Sequence, residues 1–175
     1  MKKMKDLIQT IQNNKKCIVH PPKDISFKEG KLDLPHDLIE FYRLCGGLVY
    51  EIDEGLEIEI LPFDKVVVAY PLYFDEETIE AEKKKGLFGY HAFYQWYVVA
   101  DCRDGNYLCM DLHPDRKGKC YEGNWQTFAM RDYSPIVANS FTELLNNMLH
   151  YTNEDFFWLE DQFKPLGDAY DFIDE

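Results

Sequence analysis

The sequence predicts an α+β fold: a single domain with a central, mostly antiparallel sheet flanked by helices. Three observations carry that expectation. Residues 96–112, WYVVADCRDGNYLCMDL, place two apolar runs on either side of Asp104-Gly105, a pair suited to the positive φ angles of a tight hairpin turn. Short runs of period two flank this hairpin. Stripes of helical spacing lie toward the two ends of the chain. The 175 residues, 46% of them apolar, are enough for one ordinary core.

In chain order, Met4, Leu7, Ile8 and Ile11 fall at helical spacing and predict a short amphipathic first helix. Residues 13–33, with Pro21-Pro22 and Gly30, read as an irregular arm packed over the domain. A helix follows in LPHDLIEFYRLCGG. Pro35 suits a first helical position, Asp37 the positive end of the dipole, and Gly46-Gly47 a left-handed stop. Its buried stripe is Leu34, Leu38, Phe41, Tyr42 and Cys45. Leu48–Ile52 and Leu56–Leu61 are strand candidates around a turn. In the second, Leu56, Ile58 and Ile60 alternate with Glu57 and Glu59, so one face is acidic. FDKVVVAYPLYF is ambiguous between a short helix and an extended run. Residues 75–86 form an exposed helix with acids first and lysines last. The aromatic run 86–95 is a loop or inserted strand capping the core.

With Asp104 and Gly105 as a two-residue loop, the hairpin register pairs Arg103 with Asn106, Cys102 with Tyr107, Ala100 with Cys109 and Val98 with Asp111. One face then carries Tyr97, Val99, Leu108, Met110 and Leu112. The other carries Trp96, Val98, Ala100, Cys102, Tyr107, Cys109 and Asp111. Neither is polar, so both are covered and the hairpin lies centrally in its sheet. A further strand is expected over 119–125. Ser140 and Glu143 form a capping box for FTELLNNMLHY, whose stripe is Phe141, Leu144, Leu145, Met148 and Leu149. NEDFFWLEDQF reads as a last amphipathic helix before an acidic tail.

Charge bounds the partners. The formal net is -13, with 32 acidic and 19 basic residues, which disfavours nucleic acid and anionic membranes and favours a basic partner. The acids cluster: residues 51–64 hold six and no base, and residues 154–175 hold eight against Lys164. The opening MKKMKDLIQTIQNN lacks the apolar core of a secretory leader and is expected to be mature chain. Five unpaired-looking cysteines suit reduced thiols in a cytoplasmic protein.

Motifs for chemistry are weak. Cys102, Cys109, His113 and Cys120 lack the close cysteine pair of a structural zinc site, and buried thiols are the simpler reading. Cys109 with His91 has no activating context. Asp104 of the trio Asp101, Asp104 and Asp111 is accounted for by the turn, and no phosphate-binding glycine loop occurs. The aromatics Phe88, Tyr90, Phe93, Tyr94, Trp96 and Tyr97 are read as core before ligand pocket. No catalytic residue, cofactor or metal is assigned.

The order of these segments resembles the SUKH superfamily, in particular its Smi/Knr group. The resemblance rests on LPHDLIEFYRLCGGLVY at 34–50, EIEILPFDKV at 57–66, VVADCRDGNYLCMDL at 98–112, GKCYE at 118–122 and SFTELLNNML at 140–149. It divides the chain into an N-terminal helix and arm (1–33), a Smi/Knr-like domain (34–150) and an acidic C-terminal segment (151–175). The long 75–96 insert departs from the family pattern. The resemblance implies a non-enzymatic cytoplasmic immunity protein that binds and neutralises a toxin domain, often a nuclease. The alternative it leaves is a regulatory or scaffolding module of the same fold. Under the immunity reading the contact surface is expected at Asp53, Glu54, Glu57 and Glu59, and then at Glu160, Asp161 and Asp168.

Overall fold

A computed structural model of the chain describes residues 3–23, 32–53, 55–86, 91–103, 105–151 and 155–171. Its centre is one antiparallel sheet of eight strands: β1 (Cys17–Val19), β2 (Leu48–Asp53), β3 (Leu56–Ile60), β4 (Val67–Val68), β5 (Trp96–Asp101), β6 (Tyr107–Asp111), β7 (Cys120–Gly123) and β8 (Ile136–Ala138). They run in the order β1-β2-β3-β5-β6-β7-β8, with β4 also paired to β5. The expected hairpin, β5 and β6, is therefore central. Four helices accompany it among the described residues: α1 (Met4–Gln12), α2 (His36–Leu44), α3 (Glu76–Lys84) and α4 (Phe141–Tyr151).

Two cores sandwich the sheet. On one side α1, α2 and α4 bury Leu7, Phe41 and Phe141 against Ile58, Ile60 and Met110. All nine expected stripe residues of α1 and α2, from Met4 to Cys45, lie in this core, where Phe41 packs edge-on to both Tyr42 and Phe141. On the other side Trp96 of β5 and Tyr121 of β7 meet Phe93 of the insert and Phe128 of the 124–133 loop in an aromatic core.

Helix starts follow the local signals. Glu143 N–H donates to Ser140 Oγ (3.1 Å), while the Glu143 carboxylate reaches back to Asn139 N–H (2.8 Å). The Asp37 carboxylate does more than sit near a dipole: it accepts from Thr142 N–H (2.8 Å) and Thr142 Oγ1 (3.0 Å), joining the starts of α2 and α4. Asp75 caps α3 by accepting from Thr78 N–H (2.7 Å). The glycines after α2 act differently from expectation. Cys45 ends the helix in an extended conformation (φ -149°), and Gly46-Gly47 is required by crowding. A Cβ on Gly46 would stand 2.2 Å from the Pro21 carbonyl oxygen, and one on Gly47 (φ 123°) 2.8 Å from that of Ile60.

Several expectations are corrected. The arm at 13–33 contributes the edge strand β1, paired to β2 through Cys17–Tyr50, Ile18–Val49 and Val19–Leu48. The ambiguous run at 63–74 resolves into two single 3-10 turns, Phe63–Lys65 and Tyr70–Leu72, around the two-residue β4. Ala92–Gln95 is likewise a 3-10 turn. Residues 155–163 form turns, not a helix. There the Phe156 and Trp158 rings stack at 4.8 Å with nearly parallel planes, an i,i+2 pairing that α-helical geometry would separate.

The hairpin register also differs. Its observed pairs are Trp96–Asp111, Tyr97–Met110 and Val98–Cys109, then, after a bulge, Ala100–Leu108 and Asp101–Tyr107. The loop runs from Cys102 to Asn106, closed by Cys102 N–H to Asn106 O and Asn106 N–H to Arg103 O, both 2.9 Å. Asp104, the expected turn residue, lies outside the described residues. The extra residue at the bulge sets Val99 and Ala100 on one side. Ala100 and Cys102 consequently join the helix-side core, while Val98 and Cys109 stay in the aromatic one.

Candidate functional site

At one end of the sheet, the β2–β3 turn and the β5–β6 loop bring charge together. Alternation along β3 sends Ile58 and Ile60 into the helix-side core and leaves Glu57 and Glu59 half-buried on the opposite face. There they meet Arg103. Its Nε donates to Glu57 Oε1 (2.8 Å), Nη2 also bonds that oxygen, and Nη2 stands 3.6 Å from Glu59 Oε2. Lys65 adds a looser pair with Glu59 (3.8 Å). The acidic strand face is thus a mixed-charge patch. Arg103 holds this place through a left-handed backbone (φ 70°), stabilised where its N–H donates to the Asp101 carboxylate (2.7 Å).

Asp53 lies exposed at the end of β2, and Glu54 is outside the described residues. Beside the same loop is Trp125: a Cβ on Gly105 would lie 3.5 Å from Trp125 Cβ. Trp125 is 62% exposed, an uncommon state for so large an apolar ring. Sequence reasoning placed it at the end of a strand and gave Arg103 no role. Its exposure has no local sequence signal, since it follows from β7 ending at Gly123.

The C-terminal acids are elsewhere in their duties. Asp161 is exposed, while Glu160 accepts from Asp155 N–H (3.4 Å). Asp168 is half-buried and spends its carboxylate on the backbone, accepting from Ser134 N–H (2.9 Å) and Tyr170 N–H (3.0 Å). That joins the C-terminal segment to β8, where Ile136 N–H also bonds the Gly167 carbonyl (2.8 Å).

Residues grouped on paper for chemistry are separated by the sheet. Cys102 and Cys120 lie in the helix-side core and Cys109 in the aromatic one, so the three thiols do not converge, and the face shared by Cys102 and Cys109 in the expected register is lost to the bulge. Burial drives all three thiols well up from their ordinary value. Asp101 and Asp111 sit at opposite ends of the β5–β6 pair. Asp111 is fully buried, where it accepts from Arg116 Nε (2.7 Å), His113 N–H (2.7 Å) and Trp96 Nε1 (3.2 Å). Burial pushes its carboxyl up, and the three donors oppose that shift. No group of three or more metal-ligating side chains occurs among the described residues.

Of the expected aromatic cluster, Phe88 and Tyr90 lie outside the described residues. Trp96 is core, stacked on Tyr121 at 4.2 Å, and Tyr97 packs against the helix-side core. Phe93 and Tyr94 do line an open cleft of about 420 Å³ between α3 and residues 128–130, with His91 and Glu82 at its wall. No helix among the described residues is long and apolar enough to cross a membrane.

Comparison with known proteins finds relatives by sequence. The model of the SMI1 / KNR4 family (SUKH-1) matches residues 22–147. Immunity protein YokJ of Bacillus subtilis (strain 168) is 31% identical over 171 residues, covering 96% of each chain. No solved structure matches the chain. With the family pattern running from the arm before α2 into α4, the chain belongs to the SMI1 / KNR4 family (SUKH-1).

Proposed function

We propose that this chain is an immunity protein: a non-enzymatic, cytoplasmic binder that occupies a toxin domain and blocks its action. The observation that carries the reading is likeness along almost the whole chain to a protein named as an immunity protein. Surface chemistry supports it. A net charge of -13 steers a cationic partner, and a nuclease domain is one because it must hold phosphates. The contact surface on this reading is the sheet end where Glu57 and Glu59 meet Arg103, together with Asp53 at the end of β2 and Glu54 of the adjoining turn in sequence, with Trp125 as an apolar anchor. Arg103 keeps the two glutamates in fixed positions, which reduces the side-chain ordering that binding must impose. Glu160 and Asp161 form a second, outlying acidic patch, whereas Asp168 holds backbone.

The test is co-expression with candidate toxin domains from the source genome, taken first from any large toxin gene found directly upstream. Protection of the cell, together with a purified complex that weakens as salt rises, is expected. Replacing Glu57 and Glu59 together by Lys is expected to abolish capture. A toxin that kills co-expressing cells at full rate and shows no affinity for the purified chain overturns the reading.

A further inference from the structure

We infer that the aromatic cleft beside α3 seats an arginine side chain of the protein partner; the identity of that partner as a toxin rests on the immunity reading above. The cleft is lined largely by aromatic rings, with their edges and faces. Tyr70 and Tyr94 stand at 89° with centroids 5.7 Å apart, and Phe93 and Phe128 are tilted at 5.5 Å. Such faces carry negative quadrupole potential and attract cations. The one carboxylate among the described lining residues is that of Glu82, and no lysine or arginine lines the cleft. His91, the basic group there, stacks on Phe93 (5.2 Å) and lies 3.7 Å from Glu82. Glu82 is also paired with exposed Lys85 (3.2 Å), a surface contact that an entering cation can exchange at little cost.

Shape and rigidity favour arginine on a macromolecule. A planar guanidinium stacks on rings and forks onto a carboxylate, which a compact ammonium does not. The rim continues into Met130, 51% exposed, an apolar contact for residues flanking the arginine. The wall is also held in place: Ala129 is left-handed (φ 67°) and its carbonyl accepts from the Tyr170 hydroxyl (2.5 Å). A strained non-glycine residue kept in a cleft wall by a specific tether is characteristic of binding sites. Charge complementarity completes the assignment, because an acidic chain draws basic partners to itself.

The test uses the intact chain and N-acetyl-arginine amide, with its uncharged isostere N-acetyl-citrulline amide as control. NMR of the Ala129 and Met130 methyls and the His91 ring is expected to show saturable shifts with the arginine probe and binding about tenfold weaker with citrulline. Glu82→Gln, on an exposed helix that keeps its fold by circular dichroism, is expected to bring the arginine probe down to the citrulline level. Equal titrations of the two probes, or no saturable shift, overturn the cleft as a cation site. In the toxin complex the same variant is expected to lose about tenfold in affinity. Equal toxin binding by wild type and Glu82→Gln overturns this inference alone. Absence of wild-type toxin binding instead overturns the immunity reading, and with it the partner assigned to the cleft.

Discussion

The two faces of the sheet are covered by different chemistry. On the helix side, Leu7, Leu38, Phe41 and Leu144 pack at zero or 1% exposure, and the few side-chain hydrogen bonds, such as Thr142 N–H to Asp37 and the Tyr42 hydroxyl to the Leu61 carbonyl, tie helices to each other and to the sheet. On the other side the cover is a set of rings carried by 3-10 turns and loops, with a buried carboxylate beneath them and an open cleft at its margin. Regular helices fill space to crystal-like density. Loops carrying large rings leave gaps and can position polar groups. The first face accounts for stability, and the second has room for recognition.

Substitutions can break or sharpen this contrast. The largest effect is expected from Phe41→Ala, a cavity enclosed on all sides, at about 3–5 kcal/mol in urea denaturation. Asp111→Ala should follow, at about 3 kcal/mol, because it strands the nearly buried Arg116 guanidinium and the Trp96 indole N–H. Phe128→Ala is expected to cost only about 2 kcal/mol, since the space it vacates opens into an existing cleft and the cavity contribution is relieved. A Phe128 cost equal to that of Phe41 would show the aromatic side to be packed as tightly as the helical one.

Smaller effects concern titration. Burial raises the Glu122 carboxyl pKa, offset in part by the Trp158 indole beside it. The native state therefore binds a proton at pH values where the unfolded chain has lost it, and stability falls as pH rises from the unfolded value of 4.5 through the raised folded one. Glu122→Gln should match wild type below that window and exceed it above, by a degree or a few in melting temperature. A constant offset at all pH values would assign the effect to packing instead.

Thiol chemistry gives the mildest probe. Cys17, half-buried in the edge strand with its pKa raised to about 11, should react with a disulfide reagent first and slowly at neutral pH. Cys45, Cys102, Cys109 and Cys120 should label only on unfolding. Fast labelling of Cys109 in the native state would show that the aromatic cover opens readily.

How legible each part was depends on where its cause lies. The stripes of α1, α2 and α4, the Ser140 cap and the glutamate alternation of β3 are written within a few residues, because helical and strand periods act locally. β1 and β8, three residues each, escaped notice, for strands that short owe their existence to a neighbour's open hydrogen bonds. The bulge in β5 was equally silent: in Val98-Val99-Ala100 every residue is apolar, so the sequence is content with either register and only the two covering layers choose. In the candidate site the acids were readable, but their pairing with Arg103 spans 46 residues of chain and needed the sheet to be assembled.

By itself, then, the sequence determined the fold class, the central place of the hairpin, the acidic balance and the family pattern, all of which depend on composition or on spacing along the chain. The tertiary structure alone decided that the acidic strand is a mixed-charge patch, that the cysteines are divided by the sheet, and that the aromatic insert lines an open cleft with residues 128–130. Those outcomes depend on which distant segments share a face, and a single added residue in one strand is enough to change that.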